Sequence, residues 1–253
     1  MKLPCSSLFL VSLGCAALAL STHAADTGFK NIFNGKDLAG WEGLPGFWTV
    51  RDGAITGQTT ADRVLKSNTF LIWKAGELKN FELRVQFRLT VNNEQGFANS
   101  GIQYRSKVID PAGFVVGGYQ ADMDTGRYIG MLYEEKGRGI LMQPGQKIHI
   151  GKMAAAEKSE GQKKGKQKAP VETIATVTTP EQLAAAYRKG EWNEIAIIAR
   201  GNHLQHFING TLTADVTDGD PEKGAKSGVL ALQLHQGHPM TVQFKDVRLK
   251  TLP

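Results

Sequence analysis

Apolar and polar residues alternate without a break from Phe81 to Val91, as Phe-Glu-Leu-Arg-Val-Gln-Phe-Arg-Leu-Thr-Val. A period of two puts every apolar side chain on one face, so the segment predicts an antiparallel strand with one face buried under a second layer. The same period recurs in Asn193–Ala199, His203–Ile208 and Val242–Leu249. Gly201-Asn202 and Asn209-Gly210 lie between such runs, and Asn-Gly suits a two-residue hairpin because both turn positions take positive φ. Residues 192–217 therefore read as a meander. One helix is predicted: Thr179 as N-cap, Pro180 in the first turn, Gln182 closing a capping box, Leu183 and Tyr187 on one face, and Gly190 as the stop. Many strands and one short helix argue for an all-β sandwich of two antiparallel sheets, a jelly roll.

The ends and the charge refine this picture. Met1-Lys2, an apolar run from Leu8 to Leu20 and Ser21-Thr-His-Ala-Ala25 have the layout of a secretory signal, with cleavage expected near Ala24 or Ala25. The run is shorter than the roughly 20 residues a bilayer span needs, and no later segment is continuously apolar for that length, so no transmembrane span is expected. Leu13-Gly-Cys15 sits one residue too close for a lipobox, so a periplasmic or secreted protein is expected rather than one lipidated at Cys15. Cleavage removes both cysteines, Cys5 and Cys15, and with them any disulfide, cysteine–zinc site or cysteine nucleophile. The remaining residues, from 25 onward, read as one domain.

The formal charge of +6 suggests a nucleic-acid partner until its position is considered. Six lysines between Lys152 and Lys168, against Glu157 and Glu160, account for most of it. This stretch, about 152–170, has neither aromatic residues nor apolar periodicity, so it reads as a solvated insertion and no nucleic-acid partner is expected. An electrostatic tether is its other reading.

Phosphate loops, dinucleotide fingerprints, His-Glu-x-x-His and Gly-x-Ser-x-Gly are all missing from the sequence. The candidate chemistry is polar, aromatic and strand-borne. In Asn99-Ser-Gly-Ile-Gln-Tyr-Arg105, Gln103 and Arg105 alternate with Ile102 and Tyr104. In Gly117-Gly-Tyr-Gln-Ala-Asp-Met-Asp124, the side chains of Gln120, Asp122 and Asp124 share a side, with Tyr119 opposite. Two carboxylates so placed repel unless water, an arginine or a divalent cation lies between them. Gly130-Met-Leu-Tyr-Glu-Glu-Lys-Gly-Arg-Gly139 gathers Tyr133, Glu134 and Arg138 at a strand end. In Val229–His235 the leucines mark the core, so Gln233 and His235 face away from it. Each group also has a plain reading, as surface acids, a structural ion pair or a strand-ending histidine. Together they suit a sugar, whose C–H faces stack on rings and whose hydroxyls take paired hydrogen bonds. A retaining glycosidase of the Glu-x-Asp-x-Glu kind is disfavoured, because the chain reads Gln120-x-Asp122-x-Asp124 and lacks the nucleophile.

Several motifs together resemble the 3-keto-disaccharide hydrolase domain family: Ile32-Phe-Asn-Gly-Lys-Asp-Leu-Ala-Gly-Trp41, Trp48–Gly53, Phe81-Glu-Leu, Asn99–Arg105, Gly118-Tyr-Gln120, Leu132-Tyr133, Glu191-Trp-Asn193, Asn209-Gly210 and Leu232–His235. The resemblance implies a concanavalin-like jelly roll, and a substrate whose C3 hydroxyl a separate sugar dehydrogenase has oxidised. It implies cleavage by removal of the C2 proton, loss of the C1 substituent and addition of water. No cofactor is required by that chemistry, and a divalent cation near Asp122 and Asp124 would be an aid. Within it, His235 or Asp122 is expected as base, Arg105 and Gln103 as holders of the ketone oxygen, and Glu134 as helper of the leaving group. Trp73, Tyr104, Tyr119 and Tyr133 would stack on substrate, and Gln120, Arg138 and Gln233 would line the site. A non-catalytic carbohydrate-binding module is the alternative, and a scaffold acting through the lysine-rich insertion is a third reading.

Overall fold

The structure, a computed structural model, describes residues 27–152 and 170–253. The expected signal segment, Cys15 and nearly all of the lysine-rich insertion lie outside the described residues. In chain order the strands are β1 (Lys30–Asn31), β2 (Trp41–Glu42), β3 (Trp48–Arg51), β4 (Ala54–Gln58), β5 (Thr69–Trp73), β6 (Phe81–Val91), β7 (Asn99–Asp110), β8 (Val115–Asp124), β9 (Leu132–Glu135), β10 (Gly139–Ile140), β11 (Gln146–Ile150), β12 (Val171–Thr176), β13 (Asn193–Arg200), β14 (His203–Ile208), β15 (Thr211–Asp218), β16 (Val229–Leu234) and β17 (Met240–Thr251), with helix α1 (Pro180–Ala186) ahead of β13.

They form two sheets. The larger has ten strands in the order β12-β11-β15-β14-β13-β6-β17-β4-β3, with β1 beside β17, and the smaller has seven in the order β10-β9-β8-β7-β16-β5-β2. This is the jelly-roll sandwich that the alternation predicts. It differs in one pairing: β11 runs parallel to β15, which is possible because β12, α1, β13 and β14 intervene as a long crossover.

Strand β6 occupies the predicted span, and Phe81, Leu83, Val85, Phe87 and Leu89 are all buried between the sheets. Leu230, Leu232 and Leu234 meet them from β16. Full burial of each such side chain contributes about 1.5–3 kcal/mol. The hairpin at Asn209-Gly210 has φ of +48° and +80°, the conformation that selects this dipeptide. Helix α1 begins as predicted, with both arms of the capping box formed between Thr179 and Gln182, but it ends at Ala186, four residues before Gly190. Tyr187, extended at the C-cap, stacks on Phe87 instead of adding another turn. Among the described residues no helix is long and apolar enough to cross a membrane.

Candidate functional site

The polar candidates collect on the face of the smaller sheet that points away from the sandwich core. Alternation fixes this: with the β16 leucines turned inward, Ala231, Gln233 and His235 turn outward. Register carries the same face across the sheet. Ala231 lies opposite Gln103, Gln103 opposite Gln120, Gly101 opposite Asp122, Gln120 opposite Tyr133, and Gly118 opposite Glu135.

Their side chains form one hydrogen-bonded row. Gln233 Nε2 donates to Gln120 Oε1 at 2.9 Å, and the Gln103 amide lies 2.9 Å from the same oxygen. Gln120 Nε2 donates to Asp122 Oδ2 at 2.9 Å, and Asn99 Nδ2 donates to Asp122 Oδ1 at 3.1 Å. Gln120 reaches from β8 to β16 only because Gly101 stands between them without a side chain. A Cβ there would meet Gln120 Cδ at 2.4 Å, which gives the glycine of Asn99-Ser-Gly-Ile its physical reason.

The row is buried because β7 and β8 bend over it. A bulge between Tyr104 and Lys107 turns the end of this hairpin back across β16 and β5, where Phe70 N donates to Phe114 O at 2.9 Å. Phe70, Ile72, Val116 and Ala231 form a small second core under the arm. Burial in low dielectric disfavours charge. It pushes the Asp122 carboxyl up to about 8, with nearby Asp124 and Glu135 adding to the effect and the Gln120 and Asn99 hydrogen bonds opposing it. Glu135 is also pushed up by burial, against its hydrogen bond from Asn68. An unfolded aspartate titrates near 3.8, so folding takes up a proton at Asp122 across the window from about pH 4 to about pH 8. Stability should therefore decline with rising pH through that window and level off above it. Denaturant titrations at pH 5 and pH 8 are expected to give a smaller difference for Asp122→Asn than for the wild type.

Past the buried Gln233 the chain reaches solvent two residues on, at His235. His235, Phe97, Lys66 and the turn Gln236–His238 line a depression of about 490 Å³. The His235 and Phe97 rings meet edge to face at 6.2 Å. Asn68 ties the rim together, donating to Glu135 Oε2 at 3.2 Å and accepting from Gln236 N at 3.0 Å. Burial holds the His235 imidazole below its ordinary value, so the neutral ring prevails at pH 7. Its Nδ1 lies 2.6 Å from Gln236 O. A carbonyl can only accept, so Nδ1 carries the proton and the Nε2 lone pair is left for a substrate.

Six expected site residues stand elsewhere. Arg105 was expected beside Gln103, but φ of +47° at the bulge reverses the alternation. Its guanidinium, buried at one end of the sandwich, donates to Lys79 O, Gly201 O and Ala225 O, so it binds loops together and cannot hold a ketone. Glu134 and Arg138 belong to an interior cluster, where Arg138 Nε donates to Glu134 Oε2 at 2.7 Å and Nη2 to Asp218 Oδ2 at 2.6 Å. Tyr119 donates to the same Asp218, and Tyr104 contacts His206 Nε2 at 2.9 Å, so both tyrosines fill the core instead of stacking on ligand. Trp73 packs on the core at the far end of β5, four residues beyond Thr69, the partner of Leu234. Asp124 shares the outer face, yet its Oδ1 accepts from Tyr128 N at 3.0 Å and shapes the following loop. Among the described residues no three histidine, cysteine, aspartate or glutamate side chains group as a metal site.

Glu135, Asn99, Asn68 and Phe97 are additions. Glu135 was legible: in Leu132-Tyr-Glu-Glu135 the carboxylate that shares a face with Tyr133 is the one two positions on. Asn68 and Phe97 come from loops distant in sequence, with no local signal.

The family model for the 3-keto-alpha-glucoside-1,2-lyase-like domain matches residues 28–250. No curated protein matches the sequence. Among solved structures, a provisionally assigned glycosyl hydrolase of Parabacteroides distasonis is 17% identical, covering 88% of this chain and 99% of its own, with a TM-score of 0.54. A second such protein from that organism is 22% identical over 89% of this chain and 94% of its own, with a TM-score of 0.51. The carbohydrate-binding module CBM66 of Bacillus subtilis is 15% identical over 84% of this chain and 96% of its own, with a TM-score of 0.50. At these identities the likeness is one of fold.

Proposed function

The chain belongs to the 3-keto-alpha-glucoside-1,2-lyase-like domain family, and on that premise we propose that it cleaves glycosides whose C3 hydroxyl has been oxidised to a ketone. The observation that carries the reading is the outer face on which His235 follows Gln233, whose Nε2 donates to Gln120 Oε1 as Gln120 Nε2 donates to Asp122 Oδ2; along it burial pushes Asp122 up to about 8 and holds His235 below its ordinary value. Groups whose pKa values are driven apart in this way divide into acid and base.

The C3 ketone acidifies the C2 hydrogen. His235 Nε2 takes it, and the C–H electron pair becomes the C1–C2 double bond as the C1–O bond breaks. Asp122, protonated at neutral pH, gives its proton to the departing oxygen. Water then adds its hydroxyl to C1, the imidazolium returns a proton to C2, and the second proton of the water restores Asp122. The net reaction consumes one water. Phe97 supplies a ring face at the opening and Tyr133, opposite Gln120 on β9, another on the same sheet face, and the glutamine row holds Asp122 in place. An enzyme that oxidises sugars at C3 must supply the substrate.

Incubation with a 3-keto-glucoside and with its parent glucoside tests this. Release of the aglycone from the keto compound alone is expected. Release from neither, while the intact glycoside still binds, would make the chain a carbohydrate-binding module.

A further inference from the structure

The outward face of the larger sheet takes no part in the chemistry above. Thr49, Thr56, Gln243 and Arg88 stand opposite one another across β3, β4, β17 and β6. They point away from the core, because Ile55, Val242, Phe244, Phe87 and Leu89, which alternate with them, are buried between the sheets. We propose that this face is a second binding site, and that its ligand is an extended polysaccharide bearing carboxylates. The inference does not depend on the reading of His235 and Asp122.

Both ends of the row are basic. At the β3 end, Thr49, Arg51, Gln58, Thr60 and Arg63 line a hollow of about 370 Å³ that has no carboxylate among its lining residues. The Arg63 guanidinium lies 4.5 Å from the Phe47 ring centroid. It fits there because Gly46, at φ of +80°, has no side chain, and a Cβ would collide with Nη2. At the other end, Arg88 and Lys245 lie over the Trp192 ring, 4.8 and 4.2 Å from its centroid. The acids on the neighbouring strand positions are already taken, Glu82 by Arg84 and Glu194 by Arg248. Arg88 donates instead to the neutral Gln243 Oε1, at 3.0 Å from Nε and 2.6 Å from Nη2, and Gln243 Nε2 donates to Thr56 Oγ1 at 3.3 Å. Among the described residues no carboxylate forms an ion pair with Arg51, Arg63, Arg88 or Lys245, although Asp62 feels the charge of neighbouring Arg63.

Cations left without carboxylates attract anions from outside the chain. Three strand spacings, about 14 Å, separate β3 from β6, so one small anion cannot engage both ends and a chain carrying several can. Thr49, Thr60 and Gln58 suit the hydroxyls that lie between the charges. The rings argue against nucleic acid: bases stack on open ring faces, whereas cations lie over Trp192 and Phe47. A membrane surface would want exposed apolar side chains, and none of the exposed large apolar residues belongs to β3, β4, β6 or β17.

Calorimetry on the full chain with polygalacturonate and with its methyl ester, the same backbone without the charge, tests the site. The wild type is expected to bind the acid polymer at least about tenfold more tightly than the ester. Arg51→Glu combined with Arg63→Glu, at two exposed positions, should remove that preference. Lys245→Glu should remove it from the other end, and either variant serves if the other fails to fold. Equal or undetectable binding of the two polymers by the wild type overturns the proposal. So does a preference unchanged in either folded variant, the result expected if the lysine-rich insertion held the polymer. Tighter binding of single-stranded DNA or of phosphatidylglycerol vesicles than of polygalacturonate, lost in the same variants, would overturn it in favour of that partner.

Discussion

Replacing His235 by alanine is expected to lower cleavage of a 3-keto-glucoside by about 10²–10⁴-fold, the range attributable to one general base. The melting curve should barely move, because the side chain borders an open depression and its one recorded hydrogen bond is to the neighbouring Gln236 carbonyl. The pH profile identifies the role. The base must be neutral, so kcat/KM should rise with pH through the imidazole's value, which burial holds below the usual 6.5. The acid must be protonated, so kcat/KM should fall again as pH passes about 8, where Asp122 loses its proton. His235→Ala should remove the acidic limb and Asp122→Asn the alkaline one. A profile with both limbs intact in both variants would take these residues out of the mechanism.

Arg138→Met is expected to act in the opposite way, on stability and not on chemistry. The guanidinium lies between two carboxylates, and the exposed side-chain fractions are 4% for Arg138, 10% for Glu134 and 1% for Asp218. Removing the cation leaves two buried acids uncompensated, a change that costs about 3–5 kcal/mol. For a domain of this size that lowers Tm by roughly 10 °C. Chemical denaturation of the purified variant measures it. The folded fraction should still turn over substrate, since no side of the cluster faces the His235 depression. A variant of normal stability without activity would return Arg138 to the substrate site, where its position in the motif suggested it.

The difference between these residues explains what the sequence could and could not reveal. Alternation is a local property, so β6, the β13–β14 hairpin and the outward face of Gln233 and His235 could be read directly. The same rule, applied strictly, separates Glu135 from Glu134 and sends Tyr104 and Tyr119 into the core. Arg105 fails that rule for a reason no pattern carries: a bulge with positive φ turns its side chain around. The burial of the glutamine row is equally hidden, because it follows from a hairpin bending back over β16 and β5. Asp122 therefore looks like a surface acid in sequence and is 4% exposed in the fold. The rim residues Asn68 and Phe97 meet His235 only through loop packing.

Cleavage in heavy water reads the central step directly. If His235 removes the C2 proton and, once its imidazolium N–H has exchanged with solvent, delivers a solvent-derived one, the 3-keto-glucose released from a 3-keto-glucoside in D₂O will carry deuterium at C2, and His235→Ala will release neither sugar nor aglycone at a comparable rate. Release of a sugar that keeps its original C2 hydrogen would mean direct displacement at C1, and would contradict the account.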